Sequence, residues 1–229
     1  MKSFAILLVG GKSTRFESKV NKQLSLLNGK PVFSYPLLAI YNSKAFDQII
    51  VVANNDIVDE IKEYCIVNNI FSIKFAEAGE TRQLSVENGL ASITGAEADD
   101  VVLIHDGARP LLDEEVILRS IESAKTFGAV TTYLPMEDTV AFADFDGKIA
   151  GFADRSQLVK IQTPQTFKYG VIMEAHKYAS NDKATDDCSL VMRTFMQVKL
   201  IEGSKKLAKL TTIDDLKYLE TFTKWQNTK

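Results

Sequence analysis

The chain has 229 residues, 45% of them hydrophobic and 25% charged, with a formal net charge of -3. That balance suits one globular domain with a full core, and it argues against bulk nucleic-acid binding, which carries a basic excess. Cys65 and Cys188 lie far apart and His105 and His176 are the only histidines, so neither a disulfide framework nor a zinc-ligand spacing is present, and no apolar run is long enough to span a bilayer.

Met1-Lys2-Ser3 leads straight into an apolar run without the pattern of a signal peptide, so a reduced, cytoplasmic setting is expected. The run "FAILLV" (4–9) reads as a strand, and "GGKSTR" (10–15) follows it. Glycines let backbone approach a ligand, and successive N–H groups can cradle phosphate oxygens. The stretch is neither a Walker loop nor a G-x-G-x-x-G fingerprint. Gly10 and Gly11 alone would read as an ordinary turn, but Arg15 and Lys22 add two cations able to clamp a polyphosphate.

Downstream, 32–43 predicts a helix, "QIIVVA" (48–53) a strand, 56–68 a helix and "SIKFA" (72–76) a strand. "AGETRQLSVENGL" (78–90) then opens a helix over 81–93, with Thr81 as its cap. Arg82 and Gln83 read here as an ordinary polar helix start. The strand "DVVLIH" (100–105) ends in "HDGARP" (105–110), where Asp106 could bind a ribose hydroxyl or magnesium, or merely cap a turn. A helix over 113–127 and the strand "AVTTYL" (129–134) complete an alternating βα order. Strands apolar on both faces within that order predict an α/β fold with a doubly wound, mostly parallel sheet, which binds ligands beyond the strands' carboxyl ends.

The rhythm breaks at about 138–160. "TVAFADFDGKIAGFA" (139–153) alternates around Asp146-Gly147, which predicts an inserted β-hairpin, either an antiparallel edge or a protruding arm. Helices resume near 168–179, 186–195 and 213–226, with a strand at "QVKLIE" (197–202). Residues 1–229 thus read as a single domain with one arm. "DRSQLVKIQTPQTF" (154–167), "TDDCSL" (185–190) and "KLTTIDDL" (209–216) each offer a hydroxyl or a cation at an element boundary, where such residues also serve as caps.

Taken in order, these motifs resemble the 2-C-methyl-D-erythritol 4-phosphate cytidylyltransferases, along nearly the whole chain. That family's A-A-G-x-G-x-R…K-Q is similar to Val9-Gly10-Gly11-Lys12-Ser13-Thr14-Arg15 followed by Lys22-Gln23. The resemblance implies a Rossmann-like nucleotidyltransferase joining CTP to a sugar phosphate with release of pyrophosphate. It implies that Arg15 and Lys22 stabilise the transition state, while Arg155 and Lys209 position the acceptor phosphate. It places the substrates against Val9, Gly10, Gly11, Gly79, Glu80, Ser85, Asp106, Gly107, Arg109, Thr139, Thr163 and Thr185. It further implies Mg2+ held mainly by the CTP phosphates near Asp106, and a homodimer formed through the arm, with Arg155 acting on the neighbouring subunit. Departures from the family pattern are Ser13 for glycine, Val9-Gly10 for two alanines, Gly107 for the commoner alanine, and Leu207-Ala208 before Lys209.

Two other functions fit parts of this pattern. A related enzyme using D-ribitol 5-phosphate would need the same cations. A non-catalytic nucleotide sensor would not need Arg155 and Lys209 as well as Arg15 and Lys22.

Overall fold

The computed structural model describes residues 1–11, 16, 21–178, 184 and 186–226. Its strands are β1 (Ser3–Leu8), β2 (Leu26–Leu27), β3 (Lys30–Pro31), β4 (Gln48–Ala53), β5 (Ile73–Glu77), β6 (Val101–Asp106), β7 (Ala129–Pro135), β8 (Ala141–Ala143), β9 (Ile149–Phe152), β10 (Val159–Lys168) and β11 (Lys199–Glu202). Its helices are α1 (Ser34–Asn42), α2 (Val58–Val67), α3 (Arg82–Ala91), α4 (Glu114–Phe127), α5 (Tyr169–Lys177), α6 (Asp187–Met192) and α7 (Ile213–Gln226).

Seven strands form one sheet in the order β11-β7-β10-β6-β1-β4-β5. β10 alone runs antiparallel to its neighbours; the other pairs are parallel. Every residue of β1 and β6 is buried, because side chains alternate between two covered faces. Ala5, Leu7, Val51 and Leu103 pack towards α1, α2 and α4, whereas Phe4, Ile6, Val52 and Val102 pack towards α3, α5 and α6. The sheet is therefore doubly wound. β1 is flanked by β4 on one side and β6 on the other, and this reversal opens a crevice at their carboxyl ends. No helix of the described residues is long and apolar enough to cross a membrane.

The sequence left 159–168 as a polar boundary, yet it is the sheet's antiparallel strand. Gln162, Thr163, Gln165 and Thr166 are buried there, and the Thr163–Pro164 peptide is cis, at a slip of register between Ile161 and Gln165. Two of these side chains are satisfied by the loops on either side. Gln162 Nε2 donates to Ser204 O at 3.0 Å, and Gln165 Nε2 donates to Asp186 Oδ2 at 3.1 Å. β10 thus ties together the two loops that carry Lys209 and Asp186.

The arm is present as β8 and β9, turning through Gly147 at φ 77°. A second small hairpin, β2–β3, turns at Asn28-Gly29, both at positive φ. Asn-Gly is the dipeptide such turns favour, and it is the local sequence signal for this hairpin.

Helix α3 lies close to the sheet because Gly89 faces it. A Cβ there would sit 2.9 Å from Ile6 Cγ2 and 3.0 Å from Val52 Cγ2. Gly89→Ala gains about 1 kcal/mol of helix propensity but overpacks the core by roughly 1–3 kcal/mol. The expected result is a melting temperature lower by a few degrees in calorimetry; a higher one would show that α3 has room to move outward.

Candidate active site

Three strands extend past their ends into loops held by main-chain bonds. Val9 N donates to Val52 O at 2.8 Å, Ala78 N to Ala53 O at 2.9 Å, and Gly107 N to Leu8 O at 2.8 Å. The Ser85 hydroxyl, one turn into α3, shapes the middle loop. It donates to Thr81 O at 2.9 Å and accepts Gly79 N–H at 3.0 Å, while Thr81 caps the helix by accepting Leu84 N–H. These loops enclose a cavity of about 350 Å³ walled by Gly10, Gly11, Lys22, Gly79, Glu80 and Asp106, among others. A Cβ on Gly11 would lie 4.0 Å from Lys22 Nζ, so the ammonium overhangs the glycine turn. Val9 and Gly107 do not line the cavity; they meet beneath its floor.

Asp106 is the centre of the site. Its Oδ2 accepts Lys209 Nζ at 2.6 Å and its Oδ1 accepts Arg82 Nε at 3.3 Å. Arg82 also pairs with the buried Asp187 at 2.8 Å. Arg82 was read from the sequence as an ordinary helix start; the structure corrects this, because its guanidinium joins two carboxylates from β6 and α6. Burial works against the Arg82 charge, but Asp187 and Asp106 more than offset it and hold the cation. Burial likewise pushes the Asp106 carboxyl up, yet Arg82, Lys209 and Arg109 together hold it far below the usual carboxylate range.

A second recess of about 200 Å³ shares Arg82, Asp106 and Lys209 with the first and adds Arg109, Thr163 and Asp186. The Asp106 ion-pair cluster is the wall between two compartments. The Arg109 guanidinium is fixed by Leu207 O at 2.6 Å, and Leu210 N–H donates to Ala108 O at 2.7 Å, so the Lys209 loop is anchored on both sides without a polar residue at 207.

The Thr163 hydroxyl is committed to structure. It accepts Asp106 N–H at 3.1 Å and lies 3.1 Å from His105 Nδ1, while His105 Nε2 lies 3.0 Å from Arg109 O. A carbonyl only accepts, so the imidazole carries its proton on Nε2 and Nδ1 accepts from Thr163. Burial pushes His105 down to about 4, and the ring is neutral.

Other residues expected at the site lie elsewhere. Thr139 is exposed at the base of the arm, and Arg155 is exposed in the short turn after it, donating to Glu137 O at 2.9 Å. Neither lines either compartment. Arg15, Thr185 and the departure at Ser13 lie outside the described residues.

Magnesium suits the donor set. Asp106 is ionised, and each carboxylate oxygen keeps a lone pair beyond its single ion-pair partner. Among the described residues no three His, Cys, Asp or Glu side chains form a cage. Mg2+ commonly takes one or two carboxylates and completes its shell with water and phosphate.

The family model for 2-C-methyl-D-erythritol 4-phosphate cytidylyltransferase matches residues 4–224. The chain belongs to this family. A relative of that name from Clostridium perfringens is 38% identical over 226 residues, covering 97% of this chain and 99% of its own. Another from Caldanaerobacter subterraneus is 37% identical, covering 95% and 97%. Among solved structures, the 4-diphosphocytidyl-2C-methyl-D-erythritol synthase of Anaerococcus prevotii matches with a TM-score of 0.85 at 28% identity, covering 97% of this chain and 96% of that one. The cytidylyltransferase from Francisella tularensis matches with a TM-score of 0.79 at 26% identity, covering 99% and 100%.

The state of His105 in this cytidylyltransferase fold gives a pH dependence. Its folded value of about 4 lies below its ordinary 6.5, so above pH 6.5 it contributes no slope. As pH falls from 6.5 to 4, the unfolded ring takes up a proton that the folded ring refuses, and up to about 3 kcal/mol of stability is lost. Urea titrations across that range should show a steeper decline for the parent protein than for His105→Asn. Parallel declines would mean that the ring is protonated in the fold.

Proposed function

We propose that this chain transfers a cytidylyl group from CTP to 2-C-methyl-D-erythritol 4-phosphate and releases pyrophosphate, a step of isoprenoid precursor synthesis. The observation that carries the reading is the pair of compartments divided by Asp106, Arg82 and Lys209, in a chain whose family match runs over residues 4–224. A transfer between two phosphorylated molecules needs two pockets that share a charged wall; a nucleotide sensor needs one.

The acceptor phosphate attacks the α-phosphorus, forming a new P–O bond as the bond to pyrophosphate breaks. The nucleophile is already ionised at neutral pH, so alignment and charge stabilisation dominate. This agrees with the two titratable groups at the centre of the described site, neither of which is a poised base: His105 is neutral with both nitrogens engaged, and Asp106 is ionised between cations. In this reading Lys22, with Arg15, meets the charge developing on the triphosphate. Lys209 keeps two N–H donors beyond its bond to Asp106 for the acceptor phosphate. Asp106 would hold Mg2+ together with the triphosphate oxygens, and the bound ion would neutralise phosphate charge. The two cysteines are free and buried, which supports a reducing, cytoplasmic setting.

The arm supports a homodimer. Phe142, Ile149 and Phe152 are each more than 60% exposed on it, a cluster unusual on a finished surface. A second copy covering this face would bring Thr139 and Arg155 towards the partner's acceptor compartment, which they do not reach in their own subunit.

Pyrophosphate release should occur with CTP and 2-C-methyl-D-erythritol 4-phosphate together, and Lys22→Ala should lower kcat roughly 100-fold or more while leaving the fold intact. Faster turnover with D-ribitol 5-phosphate would reassign the acceptor, and no release with either would leave a sensor. For the arm, Phe142→Asp with Phe152→Asp should halve the mass seen by light scattering and raise the KM for the acceptor far more than that for CTP. An unchanged mass would remove the arm from the interface.

A further inference from the structure

Gly10 and Gly107 each lack a methyl whose space a neighbour occupies. A Cβ on Gly107 would lie 2.6 Å from Val9 Cγ1 and 3.0 Å from both Gln23 Oε1 and Leu8 O. A Cβ on Gly10 would lie 2.1 Å from Ala78 Cβ and 3.1 Å from Asn54 Oδ1. Carbon atoms rest at about 3.5–4.0 Å, so neither glycine accepts a methyl while its neighbour keeps its own.

The neighbours cannot easily give way. Val9 is fully buried and β-branched, which restricts its χ1. Ala78 has no torsion to turn, and its main chain is tied to Ala53. Gln23, 2% exposed, fills the other side of Gly107 and directly follows Lys22 in the chain.

Both contacts bridge the crevice. Val9, after β1, meets Gly107, after β6; Gly10, after β1, meets Ala78, after β5. Their chain neighbours Leu8, Gly11, Gly79, Asp106 and Ala108 all line the larger cavity. A change in either contact therefore reaches the cavity wall through one peptide unit.

We infer that Val9 and Ala78 are positioning residues for the nucleotide: through the reciprocal pairs Val9–Gly107 and Ala78–Gly10 they set the spacing of the three loops around the cavity. The inference rests on reading that cavity as the CTP compartment. It also accounts for two of the departures from the family pattern together, since Val9 is larger and Gly107 smaller than the alanine usual at each position.

The test is a pair of reciprocal rescues. Gly107→Ala and Gly10→Ala are made alone, then combined with Val9→Ala and Ala78→Gly respectively. CTP Kd by calorimetry, KM for both substrates, kcat and melting temperature are measured for each. Each single substitution should raise CTP Kd and KM roughly 10-fold or more, with acceptor KM unchanged. Each matched double variant removes the clash, with volume conserved in Gly10→Ala/Ala78→Gly and one methylene fewer in Gly107→Ala/Val9→Ala, and should recover most of the affinity, whereas Ala78→Gly should not rescue Gly107→Ala.

CTP binding by Gly107→Ala at the parent level overturns the inference. So does failure of the matched partner to rescue, or an equal rise in both KM values, which would indicate general loosening. If a single variant does not fold, its matched double still reports, by folding and binding CTP or by failing to. If the parent protein neither binds nor turns over CTP, it is the cytidylyl-transfer reading that fails. The pairing is then decided by the melting temperatures, which are non-additive in the matched doubles if the pairs are real.

Discussion

A carboxylate buried beside two cations is the constraint on which the site depends. Asp106 ends the central strand β6, and it stays charged because Arg82 from α3 and Lys209 from the loop before α7 converge on it. Removing either cation would leave a buried charge short of a partner, a larger loss than the pair itself contributes. The wall shared by the two compartments is therefore an ion-pair cluster. Asp187, reached through Arg82, extends the same constraint to α6, next in the chain to Asp186 of the smaller recess.

Around that cluster, the backbone supplies shape and buried side chains supply rigidity. Ser85 and Thr163 were expected to touch substrate, yet both hydroxyls are engaged with main-chain groups that form the loops. Each hydroxyl thereby fixes one loop N–H, that of Gly79 or of Asp106, while its residue lines a compartment. His105 completes the arrangement from beneath, with a single tautomer that the surrounding carbonyl and hydroxyl dictate.

Much of this was legible in the sequence where one physical cause acts alone. The strands β1, β4 and β6 are apolar on both faces, and that pattern has few readings other than a covered parallel sheet. The glycines after β1 marked a loop that lines the larger cavity, whereas Gly107 after β6 packs against Val9 beneath it. What stayed hidden depends on partners distant in the chain. β10 carries Gln162, Thr163 and Gln165, which look like loop residues until Ser204, Asp106 and Asp186 are found bonded to them in turn. Arg82 resembled any polar residue in a first helical turn, because Asp106 and Asp187 lie 24 and 105 positions away. The placement of Thr139 and Arg155 outside both compartments has no local signature at all.

The position of β10 also bears on how the chain is assembled. β6 and β7 are consecutive strands, yet in the finished sheet they do not touch, since β10 lies between them. When synthesis has passed Pro135, β6 still has an unpaired edge, and the strand that will cover it has not been made. Until residue 168 emerges from the ribosome, the half-built sheet presents buried-type surface and open main-chain groups at its centre, the kind of edge through which proteins mispair. The insertion that brings Gln162 and Gln165 to the site thus also joins β7, and through it the later β11, to the rest of the sheet, and a nascent chain has reason to be shielded for that interval.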